Sequence, residues 1–476
     1  MSVLMENKVS SLRQLFISKH DKNPAPIKTN IQPYDHALIL LAIALLSIGL
    51  VVVTSASMPV ADRLFGNPFH FAVRHGIYIV LAMITAMIVM QIPMRWWRVS
   101  NVWLLLLAVV LLIAVLIIGR TVNGSTRWLV VGPITIQAAE PAKLFFFCYL
   151  AGYLVRRYEE VTDNIKGFIK PLVVFFALAL LLLLQPDLGT VVVMLFTTIG
   201  LLFLAGAKLW QFFSLAIAGT LAVVLLIVFE EYRVRRITSF LDPWADPFGS
   251  GYQLTQSLMA YGRGDVFGQG LGNSLQKLEY LPEAHTDFIM AILAEELGFS
   301  GVLTVLVIML VIVMKAMAMG NLALRKERPF DAYLAYSIGI WFSLQTAVNV
   351  GASAGVLPTK GLTFPLLSYG GSSLIVMSVA VAILVRIDFE MRVDGIQAIN
   401  KAGAAKGKKR TLVTKAKQKV NIVIEDVIEE AQLGPTLNTG SAESTKSTES
   451  AESAESTKNI NLNNTINSPD PGGLHD

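Results

Sequence analysis

The sequence predicts an all-α integral membrane protein of ten transmembrane helices with both termini in the cytoplasm. Three observations carry this: an apolar composition, ten separated apolar runs, and basic residues gathered in alternate loops. Hydrophobic residues make up 54% of the chain and charged residues only 15%, whereas ordinary soluble domains carry about 25% charged residues. That balance places the chain in the membrane class before any motif is considered.

A hydrocarbon core about 30 Å thick needs about 20 apolar residues per helix. The runs that answer this are Ala37–Ser57, Gly76–Ile92, Val102–Gly119, Leu144–Val155, Leu172–Leu184, Thr190–Ala205, Phe212–Phe229, Phe288–Met314, Ala332–Val356 and Leu366–Ile387. The fourth and fifth are short. Gln185-Pro186-Asp187 interrupts the pattern before the sixth, because proline cannot continue a helix cleanly. The first run ends in Ser55-Ala56-Ser57, which resembles a signal-peptidase site. The run is too long and its polar lead too extended for a cleaved signal, so it is read as a retained span.

Short cytoplasmic loops carry an excess of Lys and Arg. With an internal N-terminus, the inside loops hold Arg95 and Arg98, then Arg156, Arg157, Lys166 and Lys170, then Lys208, then Arg325, Lys326 and Arg328. The short outside loops hold only Arg63, Arg74, Arg120, Arg127 and Lys360. This bias divides the chain into a cytoplasmic lead over 1–36, a membrane domain over 37–390 with a large external loop over 230–287, and a cytoplasmic tail over 391–476. The tail is rich in Lys, Ala, Thr, Ser and Glu and too poor in apolar surface to order itself, which predicts disorder. The formal charge of +5 is spread over loops, not gathered on a face that would read as a nucleic-acid site. The lone cysteine, Cys148, excludes an intramolecular disulfide and a cysteine-based zinc site.

Ionisable groups at membrane depth are expensive and point to function. Glu140 and Lys143 stand three apart on one helix face. They can close the helix end as a salt bridge or contact a substrate. Just upstream, Asn123-Gly124 precedes Arg127 and Trp128; an interfacial anchor accounts for Trp128 alone. At the end of the large loop, Glu279 to Phe288 brings a proline turn and titratable groups directly into an apolar helix. Asp287 lies at the water–membrane boundary, where partial desolvation raises a carboxylate pKa and suits it to general-base work. It can also cap the following helix. Glu295 and Glu296 follow about 12 Å deeper by helical rise and require a cavity or a cationic partner. Pro358 to Ser373 is dense in glycine and hydroxyls, which fits either an anion-binding backbone nest or close helix packing. The glycine clusters at 262–264 and 268–272 follow no strand, so they are turn formers in an ordered loop and not a nucleotide-binding fingerprint.

The segments GYQLTQSLMAYGRG, GQGLGNSLQKLEYLPEAHTDF, PTKGLTFPLLSYGGSS and QPDLGT resemble those of the SEDS family (shape, elongation, division and sporulation), over about Pro33 to Arg392. Of its branches, QLTQSLMAYGRG with KLEYLPEAHTDF is more similar to the division branch. The resemblance implies a ten-helix peptidoglycan glycosyltransferase of the cell inner membrane at the division septum. It polymerises lipid II by inverting transfer and releases undecaprenyl pyrophosphate. It implies Asp287 as the catalytic base, and Trp128, Glu140 and Lys143 as residues that shape or contact the substrate site. With the local readings, the candidate substrate contacts are Arg127, Trp128, Glu140, Lys143, His285, Lys360, Ser368, Tyr369, Gly370, Gly371 and Ser372. Where the family often has Gln-Pro-Ser-Glu, this chain has Gln137-Ala138-Ala139-Glu140.

Implied partners are lipid II and its lipid-linked glycan, a class B penicillin-binding protein and other divisome proteins, with no nucleic acid. No cofactor follows from the residues; a divalent cation that assists the leaving group stays open, though no carboxylate spacing predicts one. Two other classes compete: a lipid II flippase, which would use the intramembrane charges as a path, and a non-catalytic scaffold that recruits the transpeptidase.

Overall fold

A computed structural model describes residues 34–122, 125–131, 134–229, 231–358 and 361–395, together with 414 and 418. The chain divides into two units, Met1–Lys401 and Ala402–Asp476, and every helix and strand named here belongs to the first. Almost all of the lead over 1–36 and the tail over 391–476 lies outside the described residues, and so does Lys360.

Each of the ten apolar runs lies wholly or mostly on a helix. In chain order the helices that carry them are α1 (His36–Phe65), α2 (His70–Gln91), α3 (Met94–Ile118) and α4 (Ala139–Arg156), then, after the short α5 (Tyr158–Asp163), α6 (Ile165–Leu184), α7 (Leu188–Leu204) and α8 (Leu209–Val228). In the large loop lie α9 (Glu231–Leu241) and α10 (Tyr252–Gly264). The last three are α11 (Ile289–Arg325), α12 (Pro329–Ser353) and α13 (Gly371–Gly395). The cap signals act locally. Asp35 accepts from Ala37 N at 3.0 Å and Leu38 N at 3.2 Å to start α1, and Gly66 ends it in the left-handed conformation. The last helix runs past residue 390, where a cytoplasmic tail was expected to start.

Seven of these helices are long and apolar enough to cross a membrane among the described residues: α1, α2, α3, α6, α8, α11 and α13. The apolar α7 is shorter. α4 and α12 fall short because they carry buried polar groups, Glu140 and Lys143 on one and Gln345 and Asn349 on the other. These two helices pack against each other and against α7 at the centre of the fold. The helices too polar to stand out as spans are therefore deeply buried, as α13 also is.

The all-α expectation needs one correction. Residues 120–137 form a small antiparallel sheet in the order β1-β2-β3, with β1 Arg120–Val122, β2 Ser125–Val131 and β3 Ile134–Gln137. The β-branched runs Val130-Val131 and Ile134-Thr135-Ile136 pair across it, Val130 facing Thr135 and Leu129 facing Ile136. Arg127 and Trp128 thus stand on the central strand.

The large loop also has more order than turns alone. Ser257 Oγ on α10 donates to Ser353 O at the end of α12 at 2.6 Å, and Tyr261 Oη meets Ser353 Oγ at 3.1 Å. Beyond α10 the backbone of 265–270 runs beside 295–300: Gln269 N donates to Glu295 O and Gly270 N to Glu296 O, both at 2.9 Å. The glycines here permit close approach. A Cβ on Gly264 would lie 1.9 Å from Ala294 O, and one on Gly268 would lie 2.2 Å from Glu296 O. Gly298, at φ 68° and ψ −168°, kinks α11 and leaves Ile289–Leu297 as a short first leg.

Candidate active site

Segment 361–373, which follows α12 and runs into the first turn of α13, is the hub onto which the predicted site residues gather. Two amides one turn apart on α12 hold its start. Gln345 Nε2 donates to Thr363 O at 2.9 Å, and Asn349 Nδ2 donates to Leu362 O at 2.6 Å. The same Asn349 nitrogen donates to Asp287 O at 2.9 Å. Gln345 Oε1 accepts from Lys143 Nζ at 2.9 Å and from Trp341 Nε1 at 2.7 Å. Asp287 and the Glu140–Lys143 pair, far apart in sequence, therefore meet through one helix face.

Asp287 is half-buried in the turn that precedes α11. Gly361 lies beside its carboxylate: a Cβ there would sit 3.1 Å from Asp287 Oδ2 and 3.8 Å from Arg127 Nη1. Carboxylate and guanidinium thus flank a stretch of backbone that carries no side chain. Arg127 is aimed from β2 by the Gln185-Pro186 turn, where its Nε donates to Gln185 O at 3.1 Å and its Nη2 to Pro186 O. That turn is fixed in its own right. Gln185 Nε2 donates to Leu112 O at 3.0 Å, and Asp187 caps α7 by accepting from Thr190 N at 3.2 Å and Thr190 Oγ1 at 2.8 Å. The N-cap position of α11 is Phe288, whose side chain makes no capping bond.

Lys143 Nζ and Glu140 Oε1 pair at 2.9 Å with both side chains sealed, at 0% and 3% exposure. Lys143 also lies 5.0 Å from the Trp341 ring centroid. The pair forms the salt bridge of one of the two readings, and it reaches the site through Gln345. Ser368 and Ser372 are likewise bonded within the fold. Ser368 Oγ accepts from Phe364 N at 2.8 Å, and Ser372 Oγ accepts from Gln137 N at 3.1 Å, docking the sheet onto the start of α13. Tyr369 N donates to His285 O at 3.1 Å, so this N–H is not available to an anion. A Cβ on Gly371 would lie 2.6 Å from the Tyr78 ring, whereas one on Gly370 would meet only ordinary contacts near 3.4 Å. Close packing thus explains Gly371, and the nest reading loses the Tyr369 N–H.

Trp128 pairs with Gln137 across β2 and β3, beside this docking point. His285 packs among aromatic rings, 4.9 Å from Phe71 and 5.4 Å from Tyr369 by centroids. Burial pushes its pKa below the ordinary value, and nearby Glu283 opposes that only in part.

Glu295 and Glu296 have the cationic partners their depth required, supplied by the loop. Glu295 takes Arg263 Nη1 at 2.7 Å, Leu275 N at 3.0 Å, Gln276 N at 3.2 Å and the Ser274 hydroxyl. Glu296 takes Lys277 Nζ at 2.9 Å and Ser55 Oγ at 2.6 Å. Among the described residues no group of three or more His, Cys, Asp or Glu gathers as a metal site would need. Sequence reasoning missed Gln345, Asn349 and Gln185. Their only signal was an amide side chain within or beside an apolar run.

The family model for FtsW, RodA and SpoVE, described as "Cell cycle protein", matches residues 35–393. A relative from Pseudoalteromonas atlantica, named "Probable peptidoglycan glycosyltransferase FtsW", is 77% identical over 424 residues, covering 87% of this chain and 86% of its own length. One of the same name from Escherichia coli is 56% identical over 365 residues, covering 77% and 88%. Among solved structures, a chain described under "Structural coordination of polymerization and crosslinking by a peptidoglycan synthase complex" superposes with TM-score 0.62 at 26% identity. The match covers 75% of this chain and 98% of that one. The Thermus thermophilus rod shape determining protein RodA superposes with TM-score 0.56 at 26% identity, covering 75% and 98%.

Proposed function

The chain belongs to the FtsW, RodA and SpoVE family of cell cycle proteins, and from that premise we propose a peptidoglycan glycosyltransferase that polymerises lipid II with Asp287 as its general base. The carboxylate takes the proton of the acceptor 4-hydroxyl. The freed oxygen attacks the anomeric carbon of the lipid-linked donor, the bond to the pyrophosphate breaks, and the configuration inverts. The observation that carries this reading is the half-buried Asp287 carboxylate facing Arg127 across the bare backbone of Gly361. A base needs reach to its proton and an environment that keeps it basic. A guanidinium nearby suits an anionic leaving group.

Arg127, Trp128, His285, Tyr369, Gly370 and Lys360 are the remaining candidate contacts. Lys143, Glu140, Ser368, Gly371 and Ser372 shape the site from behind. In this reading ten helices cross the inner membrane at the septum, both termini are cytoplasmic, and the Asp287 side faces outward. The burial of the polar α4 and α12 at the centre of the bundle supports counting them as spans. A class B penicillin-binding protein and other divisome members are the expected partners, as the likeness to a chain from a synthase complex suggests.

The purified full chain with lipid II and its cognate class B partner is expected to make glycan strands. Asp287→Ala should remove about 10²–10⁴-fold of the rate, the usual worth of a positioned base. Native polymerisation by that variant would sink the assignment. Lipid II flipping in vesicles without polymerisation would favour a transporter. Normal division on Asp287→Ala would favour a scaffold.

A further inference from the structure

We infer that Asn349 is a positioning residue that sets the place of the catalytic base, with Gln345 as its companion on the same helix face. The inference rests on the reading of Asp287 as that base. Asn349 is 1% exposed and lies on the central helix α12. Its amide nitrogen donates both to Asp287 O at 2.9 Å and to Leu362 O at 2.6 Å. One carboxamide thus holds the turn that bears the base against the segment that bears Gly361. A carboxamide offers two N–H donors on one nitrogen, which no other side chain of this length provides.

The opposite end of the amide argues against a role in stability alone. Asn349 Oδ1 is buried and meets no donor among the described residues. An unpaired buried acceptor opposes folding, and a leucine of similar size would avoid it. The residue therefore fits as a pair of donors aimed at two carbonyls. Gln345, one turn earlier, repeats the arrangement. It is 0% exposed, donates to Thr363 O at 2.9 Å, and accepts from Lys143 at 2.9 Å. The Glu140–Lys143 pair then fixes the rotamer of Gln345, and through it the carbonyl next to the one that Asn349 holds. This gives the sealed salt bridge a part in the chemistry without any contact to substrate.

Positioning predicts a particular kinetic signature. A base displaced by about 1 Å costs on the order of 10²-fold in turnover, whereas binding of the long lipid-linked substrate depends on many contacts elsewhere. Asn349→Leu is therefore expected to lower kcat by about 10²-fold with KM within about twofold of native, since the lost interaction acts in the transition state. Asn349→Gln keeps the carboxamide and lengthens it by one methylene; it should remain folded and show the same split. Ser353→Ala, one turn further along α12, removes the contact to Tyr261 Oη at 3.1 Å and should lower the thermal midpoint while leaving kcat alone.

The three variants are to be compared as full chains, with the class B partner and lipid II, by initial rate over a range of lipid II concentrations and by thermal unfolding. The inference is overturned if folded Asn349→Gln retains kcat within about threefold of native, or if its KM rises in step with any loss. If Asn349 variants lose kcat while Asp287→Ala polymerises normally, the identity of the base is what fails.

Discussion

The two ends of the first leg of α11 hold carboxylates in opposite settings. Asp287, just before the leg, is half-buried and looks across Gly361 toward Arg127. Glu295 and Glu296, at its far end, are 0% and 1% exposed and are each paired with a cation from the loop, Arg263 and Lys277. Charge at membrane depth pointed to function in all three. The difference teaches that depth alone does not select the reactive group. A carboxylate sealed inside the fold is out of reach of an incoming hydroxyl. One that is half-buried at the rim, beside the backbone of Gly361, can be reached. Glu295 and Glu296 read instead as a latch that fastens residues 263–277 over the leg that carries Asp287.

The latch can be broken from either side, and that is where the largest stability effect is expected. Lys277→Met leaves Glu296 buried without its cation, which costs about 3–5 kcal/mol for a buried pair that loses one partner. Thermal unfolding of the solubilised chain should show this. The double variant Lys277→Met with Glu296→Leu should recover most of the loss, because well-packed apolar groups often replace a buried pair at no cost. No recovery would mean that the pair supplies more than a satisfied charge.

A smaller effect is expected at the kink. Gly298 has φ 68° and ψ −168°, a region that residues with a side chain hardly enter. Gly298→Ala should cost about 1–3 kcal/mol, and more if the methyl forces Gly268 away, since a Cβ would lie 2.4 Å from Gly268 N. Protease accessibility of the 265–270 segment reads that displacement separately from global unfolding. Retained protection together with native stability would show that the two segments need no close approach.

The smallest effect is a pH dependence on the Asp287 side. Burial holds the His285 pKa below its ordinary 6.5. Between the native and ordinary values the unfolded chain binds more protons than the folded one, so stability rises with pH through that window and falls on acidification. His285→Phe, which can keep the contacts to Phe71 and Tyr369, should flatten the acid limb of the thermal midpoint below about pH 6.5. An unchanged limb would place the titration elsewhere.

How much was legible in the sequence follows the same divide. The ten apolar runs all mark helices, because helical length and hydropathy are local properties. The Glu140–Lys143 pairing followed from its spacing of three. The sheet at 120–137 was not legible, since its runs are short and their pairing is long-range compared with helical contacts. Nor was the role of the serines at 368 and 372, whose oxygens meet donors from Phe364 and Gln137 only after folding. Gln345 and Asn349 lie in a run that reads as an ordinary span, and only the tertiary fold gives their amides five partners to hold. The partners of Glu295 and Glu296 were required by physics, but Arg263 and Lys277 could not be singled out among the basic residues without the folded loop.

The central claim is that the carboxylate at 287 carries the chemistry while those at 295 and 296 carry the fold. Its most direct test compares Asp287→Asn with Glu296→Gln, each purified with the class B partner, for lipid II polymerisation rate per folded molecule. The expected result is a stable, inactive Asp287→Asn and a less stable Glu296→Gln that turns over at close to the native rate once corrected for folded fraction. An active Asp287→Asn beside a folded but inactive Glu296→Gln would contradict it.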